Sequence, residues 1–341
     1  MLADLLREPP TIPDRLAFAT KTCVNTFLKL RGIHHITAIA TDPQRNLDFY
    51  TRLLGLRLVK RTVNFDDPGS YHFYFGDRIG NPGTLLTFFP WPGARRGSRG
   101  NGQVVATSFQ IPNQAVAYWN ERLKEHQVLW EKISNRFDEE VIRFADPDGL
   151  LLELIGTGAT EPLPDLSYST AVPNEFALRG LHTPTLQLQT TDLTLELLTD
   201  LFGFEEVAKK EGRRRFSVGT GSASKQIDLV ERPEAGFGHV AAGTVHHIAF
   251  RAANDEEQLH WREKLLELKI GVTPVIDREY FRSIYFREPG GILFEIATDG
   301  PGFAVDESVE ELGQHLKLPP QLEGDRSAIE ASLPVISETG H

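Results

Sequence analysis

The run Gly243-Thr-Val-His246-His247-Ile-Ala-Phe250 opens a stretch that closes with Glu288-Pro-Gly-Gly-Ile-Leu-Phe-Glu295-Ile-Ala297. The first run is a short β-type segment carrying two adjacent imidazoles. The second is a tight turn, with proline presetting φ and glycine relieving the exit, followed by a strand that carries a carboxylate. Two imidazoles and an acid are the donors a metal ion takes. A matching run, Gly32-Ile-His34-His35-Ile-Thr37-Ala-Ile-Ala40, lies near the N-terminus.

Both runs belong to a repeated unit. After the strand at 32–40, Asp42-Pro43 is a helix-start signal; Leu47, Tyr50, Leu53 and Leu54 then fall at helical spacing, with Gly55 placed to end the helix. Three β-rich runs follow, at 57–64, 71–75 and 83–89, separated by turn clusters at 66–69 and 80–83. The second unit starts at Gln103, has a helix containing Val116, Trp119 and Leu123, and ends in Asp146-Pro-Asp-Gly-Leu-Leu-Leu-Glu153. The chain then restarts. Arg-Gly-Leu181-His182 matches Arg-Gly-Ile33-His34, and 195–203 matches 47–55, both at an offset of 148; Glu288 to Glu295 matches Asp146 to Glu153 at an offset of 142.

Four copies of one βαβββ unit predict an α+β fold of two curved-sheet, open-barrel domains. The chain divides into an N-terminal arm (1–31), a first pair of units (32–159), a linker rich in proline and acidic residues (160–179), a second pair (180–302) and a C-terminal tail (303–341). The tail, with Leu312, Leu316 and Ile329, has enough apolar character to pack along a surface. The glycine-rich, locally basic stretch 94–102 could grip an anion but reads better as a solvated connector.

A length of 341 residues suits two domains of ordinary size. The net charge of -11, from 47 acidic against 36 basic side chains, argues against nucleic acid and anionic membranes as partners. No run approaches the roughly 20 apolar residues of a membrane span. Asp4, Arg7, Glu8, Asp14 and Arg15 interrupt any secretory signal core. The single cysteine, Cys23, cannot form an internal disulfide, which places the protein in the reducing cytoplasm. A homo-oligomer is left open.

Successive strand residues point to opposite faces, so one histidine of each pair aims squarely at a metal. His247 shares its face with the small Val245 and Ala249, whereas His246 lies with Ile248 and Phe250. His35 shares its face with Thr37, and His34 lies with Ile36 and Ala38. His35, His247 and Glu295 are therefore the candidate ligands. Two imidazoles and one carboxylate leave positions free on an octahedral ion, as in non-haem Fe(II) oxygenases. A closed structural zinc site would want four protein ligands, commonly thiolates, and the chain has one cysteine. Any single His-His pair on a strand would be read as packed histidine. Here the doublets are selective: the third unit has His182-Thr183 and the second Val105-Ala106 at the matching places. Glu153 stands where symmetry puts Glu295, either as a structural relic or as the third ligand in its stead.

The combination I-H-H-I-T (33–37), Y-H-F-Y-F-G-D (71–77), V-H-H-I-A-F (245–250) and Y-F-R-S-I-Y-F-R-E-P-G-G-I-L-F-E (280–295) resembles the hydroquinone-cleaving ring dioxygenases of the vicinal oxygen chelate superfamily. The resemblance covers most of 32–320, including Leu-Lys-Leu-Pro-Pro at 316–320. It implies a metal on His35, His247 and Glu295. Around that metal it implies His34, Thr37, His246, Arg278 and Tyr285, which orient ligands, accept a phenolic proton and steady the resulting anion. It implies Fe(II), with Mn(II) as a substitute, and a hydroquinone or catechol opened with O2. Strand alternation lets His34 and His246 reach the same cavity only through a local bulge. Two other readings stand beside this one: a non-redox isomerase or lyase of the glyoxalase type, with Glu153 as fourth ligand, and a metal-free binding module of the antibiotic-sequestering type.

Overall fold

The computed structural model describes residues 28–158, 171–220 and 224–337. Cys23, most of the arm and residues 160–170 of the linker lie outside them. The first unit consists of β1 (Ile33–Ala40), α1 (Pro43–Asp48), β2 (Arg57–Asn64), β3 (Asp67–Gly76) and β4 (Leu85–Pro90). The second comprises β5 (Gln103–Pro112), α2 (Val116–Glu125), β6 (Trp130–Arg136), β7 (Glu139–Ala145) and β8 (Leu151–Thr157). In the third are β9 (Thr185–Leu188), α3 (Asp192–Glu196), β10 (Glu205–Lys210), β11 (Arg213–Ser217) and β12 (Gln226–Glu231). The fourth contains β13 (Val245–Ala252), α4 (Asp255–Glu267), β14 (Ile276–Asp277), β15 (Phe281–Arg287) and β16 (Leu293–Pro301). Each copy is βαβββ.

Local chemistry explains these elements. Asp42 Oδ1 accepts from Arg45 N at 2.8 Å and caps α1, with Pro43 opening the helix. Gly55 takes φ 71° beyond the helical turns, a left-handed conformation that costs glycine little. In the turn before β16, the Glu288 carboxylate accepts from Gly290 N and Ile292 N; before β8, Asp146 does the same for Asp148 N and Leu150 N. One hairpin differs from expectation. Asn64 pairs with Asp67, so the loop is only Phe65 and Asp66, and Pro68 and Gly69 lie inside β3. Proline is tolerated there because β3 pairs with β4 only at 73–75.

The eight-stranded sheets cut across the two halves of the chain. One has the order β14-β15-β16-β13-β1-β4-β3-β2 and joins the fourth unit to the first through antiparallel β13 and β1. The other, β10-β11-β12-β9-β5-β8-β7-β6, joins the third unit to the second through β9 and β5. The segments 32–159 and 180–302 therefore each contribute one unit to each sheet. Residues 94–102, expected as a solvated connector, instead pair with the loop at 236–242 through bridges Arg96–Ala242, Ser98–His239 and Asn101–Phe237. A Cβ at Gly100 would sit 2.6 Å from Gly236 O, so the close approach requires glycine.

Alternation sorts the side chains. Ile36, Ala38, Phe73, Phe75, Ile248, Phe250, Phe294 and Ile296 face the main apolar core, whereas Tyr74, Ala249, Phe281 and Ala297 belong to a smaller cluster on the inner face of the first sheet. The tail runs along the outer strand β2. Leu316 bridges to Arg61, Lys317 N donates to Arg61 O, and the fully buried Lys60 ammonium meets Asp306 and Glu307. An otherwise open sheet edge is thereby covered. Among the described residues no helix is long and apolar enough to cross a membrane.

Candidate metal centre

His35 on β1, His247 on β13 and Glu295 on β16 come together on the inner face of the first sheet, because these three strands are adjacent and Glu295 pairs in register with Ala249. His35 Nε2 lies 3.2 Å from His247 Nε2, and Glu295 Oε2 lies 2.9 Å from His247 Nε2 and 3.3 Å from His35 Nε2. All three residues are buried. Oε2 makes no hydrogen bond, although it is enclosed by the two rings. Donors about 2.1 Å from an ion and at right angles to one another stand about 3.0 Å apart, so the triad has the spacing of one face of an octahedron. Burial alone would raise the Glu295 carboxyl, but the two imidazoles outweigh it and hold this group well below the usual carboxylate range. An anionic oxygen with no hydrogen-bond donor, facing two imidazole nitrogens, fits a cation.

The histidines that precede the two candidate ligands arrive by bulges. Register between β1 and β13 slips once between Ile33 and His35 and again between Thr37 and Ala38, the second slip passing over His246. His34 and His246 are thus the extra residues of two bulges, and each turns toward its neighbour instead of the opposite face. His34 Nδ1 is 2.9 Å from His35 Nδ1, and His34 Nε2 is 3.1 Å from Thr298 O. A carbonyl only accepts, so His34 carries its proton on Nε2. Burial, then the neighbouring His35, push this ring down to about 3, so it is neutral and its Nδ1 accepts. His35 must then donate from Nδ1, which leaves the Nε2 lone pair facing the site. His246 Nδ1 lies 2.7 Å from His247 Nδ1 in the same way, and burial followed by His247 lowers His246 to about 3.

Tyr285 pairs in register with Glu295, and its ring meets that of His247 at 5.7 Å. Arg278 Nε donates to the Tyr285 hydroxyl at 3.1 Å, while its Nη1 reaches Asp66 of the first unit at 3.0 Å. Burial raises the Tyr285 phenol well above its ordinary range, against the pull of Arg278. Thr37 pairs with His247 across β1 and β13, and its hydroxyl lies 2.7 Å from that of Thr87. All eight residues expected at the site therefore surround one place. Sequence reading missed Ser283, whose hydroxyl donates to Glu295 Oε1 and leaves Oε2 for the site. A lone serine in a strand gives no signal; the pleat that puts 283, 285 and 287 on one face could have pointed to it. Ser283→Ala protein is expected to fold normally and to bind divalent metal about 10–100-fold more weakly, measured by competition with a chromogenic chelator.

Glu153 lies in the other sheet and is not a ligand there. Its carboxylate accepts from Arg136 through both oxygens, from Arg143 and from Ser108. The offset of 142 makes Arg136 the counterpart of Arg278 and Arg143 that of Tyr285, while Thr183 and Ala106 stand at the places of His35 and His247. Arg213 and Arg215 pair with Asp228 beside them. Ion pairs fill the place that the first sheet keeps for donors. The fourth ligand that the isomerase or lyase reading requires is engaged by two guanidiniums.

A profile of the glyoxalase/bleomycin resistance protein/dioxygenase superfamily matches residues 32–154 and 180–296. The chain belongs to this superfamily. Within it, MhqO of Bacillus subtilis (strain 168), provisionally named a ring-cleaving dioxygenase, is 49% identical over 305 residues, covering 89% of this chain and 96% of MhqO. The chlorohydroquinone/hydroquinone 1,2-dioxygenase of Sphingobium indicum is 37% identical over 309 residues, 87% of this chain and 94% of that protein. A crystal structure of a provisionally named dioxygenase from Bacillus subtilis superposes with a TM-score of 0.87 at 48% identity, covering 91% of this chain and 98% of the other. Glyoxalase I from Zea mays shares the superfamily fold with a TM-score of 0.58 at 16% identity, covering 79% of this chain and 92% of the other.

Proposed function

We propose that this superfamily member is a ring-cleaving dioxygenase that opens a hydroquinone or catechol-like diol with O2, in the cytoplasm, and that His35, His247 and Glu295 hold the Fe(II) it needs, with Mn(II) as a substitute. The observation that carries the reading is the convergence of three buried donor atoms within 3.3 Å of one another, with Glu295 Oε2 accepting no hydrogen bond. Relatives at 49% and 37% identity with ring-cleavage names support the reaction class. Iron bound there would supply the one-electron chemistry through which dioxygen and an ionised diol react.

The chain's own groups then have separable tasks. His34 and His246 fix the ligand tautomers through Nδ1. Ser283 holds the carboxylate rotamer. The Tyr285 phenol, kept protonated by burial and touched by the Arg278 guanidinium, can pass a proton to or from a diol oxygen and is steadied when it does. Phe281 lies against the rings of His34 and His35 at 5.0 and 5.2 Å and keeps water from that side.

The test is oxygen uptake by Fe(II)-loaded protein against a panel of hydroquinones and catechols. Uptake stoichiometric with loss of the aromatic absorption is expected with at least one diol. Bound iron with no uptake from any diol would remove the oxygenase reading.

A further inference from the structure

One hydrogen-bonded chain on the inner face of the first sheet leads to Thr37 through three residues given no task above, Tyr74, His72 and Thr87. It begins at Tyr74, whose hydroxyl is 2.9 Å from His72 Nδ1. His72 Nε2 is 3.0 Å from Thr87 Oγ1, and Thr87 Oγ1 is 2.7 Å from Thr37 Oγ1. The backbone fixes the chain in place: β3 and β4 set Tyr74 opposite Thr87, β4 and β1 set Thr87 opposite Thr37, and β1 and β13 set Thr37 opposite the ligand His247. The His72 ring lies 4.1 Å from that of Tyr74 and 4.3 Å from that of Phe89, which in turn meets His246 at 5.7 Å. Tyr74, Thr87 and Thr37 are all buried.

The chain has a direction. Among the described residues Tyr74 has one hydrogen-bond partner, His72 Nδ1, so the proton of the buried phenol is satisfied only by donating to that nitrogen. With Nδ1 accepting, a neutral His72 carries its proton on Nε2 and donates it to Thr87. Burial favours the neutral ring. Among the described residues the buried Thr87 hydroxyl has one other partner, Thr37 Oγ1, so its proton is satisfied only by donating to Thr37. The Thr37 proton then has no partner left in the chain and is presented beside His247, where a diol oxygen would lie.

We propose that His72 is a positioning residue which, through Thr87, makes Thr37 a hydrogen-bond donor to the ionised oxygen of the diol and not a base for it. The inference rests on the diol reading above, and no proton is transferred along the chain in it. Tyr74 sets the polarity, His72 transmits it, and Thr87 delivers it. A donor prearranged toward an anion stabilises the ionised form without reorganising when the ligand binds.

Two measurements test it. In 15N-histidine-labelled full-length protein, the His72 signal, assigned by its loss in His72→Gln, is expected to show the Nε2-protonated tautomer and to lose it in Tyr74→Phe; an Nδ1-protonated His72 in the wild type overturns the proposal whatever the reaction is. In Fe(II)-loaded protein under nitrogen, 4-nitrocatechol reports its own ionisation by visible absorption. Thr87→Val is expected to raise the pH at which the bound ligand ionises by about one unit and to lower kcat about tenfold. Metal content should be unaltered, and Thr87→Ser should recover most of the loss. A Thr87→Val protein that ionises nitrocatechol and turns over like the wild type overturns the proposal. Wild-type protein that turns over no diol strikes the functional reading instead and leaves the tautomer result standing.

Discussion

Glu295→Gln protein, loaded anaerobically with Fe(II), will bind the ion more than about a hundredfold more weakly than the wild type and lose oxygen uptake in proportion. Removing a group that only orients a ligand costs about 10–100-fold in affinity, and losing the charged ligand itself should exceed that range. The fold should survive, because the glutamine side chain has the same shape and its amide oxygen still accepts from the Ser283 hydroxyl. That separates loss of metal from loss of structure. Metal at about a hundred times its dissociation constant adds about 2.7 kcal/mol of stability, a rise of about 4 °C in Tm for the wild type, and the variant should show none of it. His247→Gln should behave alike. An equal thermal response in wild type and both variants would mean that the ion binds elsewhere.

The second large effect lies in the other sheet and concerns stability alone. Glu153→Ala should cost about 3–5 kcal/mol, read by denaturant unfolding at neutral pH, because it strands two arginines against a buried face. Burial alone would raise the Glu153 carboxyl, but Arg136 and Arg143 hold it at about 2 against an ordinary 4.5. A folded-state pKa below the unfolded one gives stability that is complete above about 4.5 and lost as pH falls toward about 2. The difference corresponds to about 3 kcal/mol, in line with the cost of breaking the pair. Wild-type stability should fall across that window, and the part due to this carboxylate should be missing from Glu153→Ala. Its metal affinity should equal that of the wild type, which a role as ligand would not permit.

Much of this was legible in the residues. The offsets of 148 and 142 gave four units and their element order, and the small neighbours of His247 together with the polar neighbour of His35 singled out within each doublet the histidine that the structure sets beside Glu295. The pairing of the first unit with the fourth was not legible from pattern alone, since amphipathic alternation says which face a strand buries but not which strand lies beside it. The bulges at His34 and His246 break the two-residue period, which shows that a bulge is needed for both histidines to reach the cavity but not that one forms. Glu153 was ambiguous for a related reason. Its meaning lies in Arg136 and Arg143, which the β6–β7 hairpin brings to it from well back in the chain. His72, quoted only as part of a motif, gains a role when Thr87 and Tyr74 are seen beside it.

The most direct test of the shared ion is anomalous diffraction at the iron edge from crystals grown anaerobically with Fe(II). A single strong peak is expected about 2.2 Å from His35 Nε2, His247 Nε2 and Glu295 Oε2. A peak beside Glu153, or none between residues 35, 247 and 295 in iron-replete crystals, would contradict it.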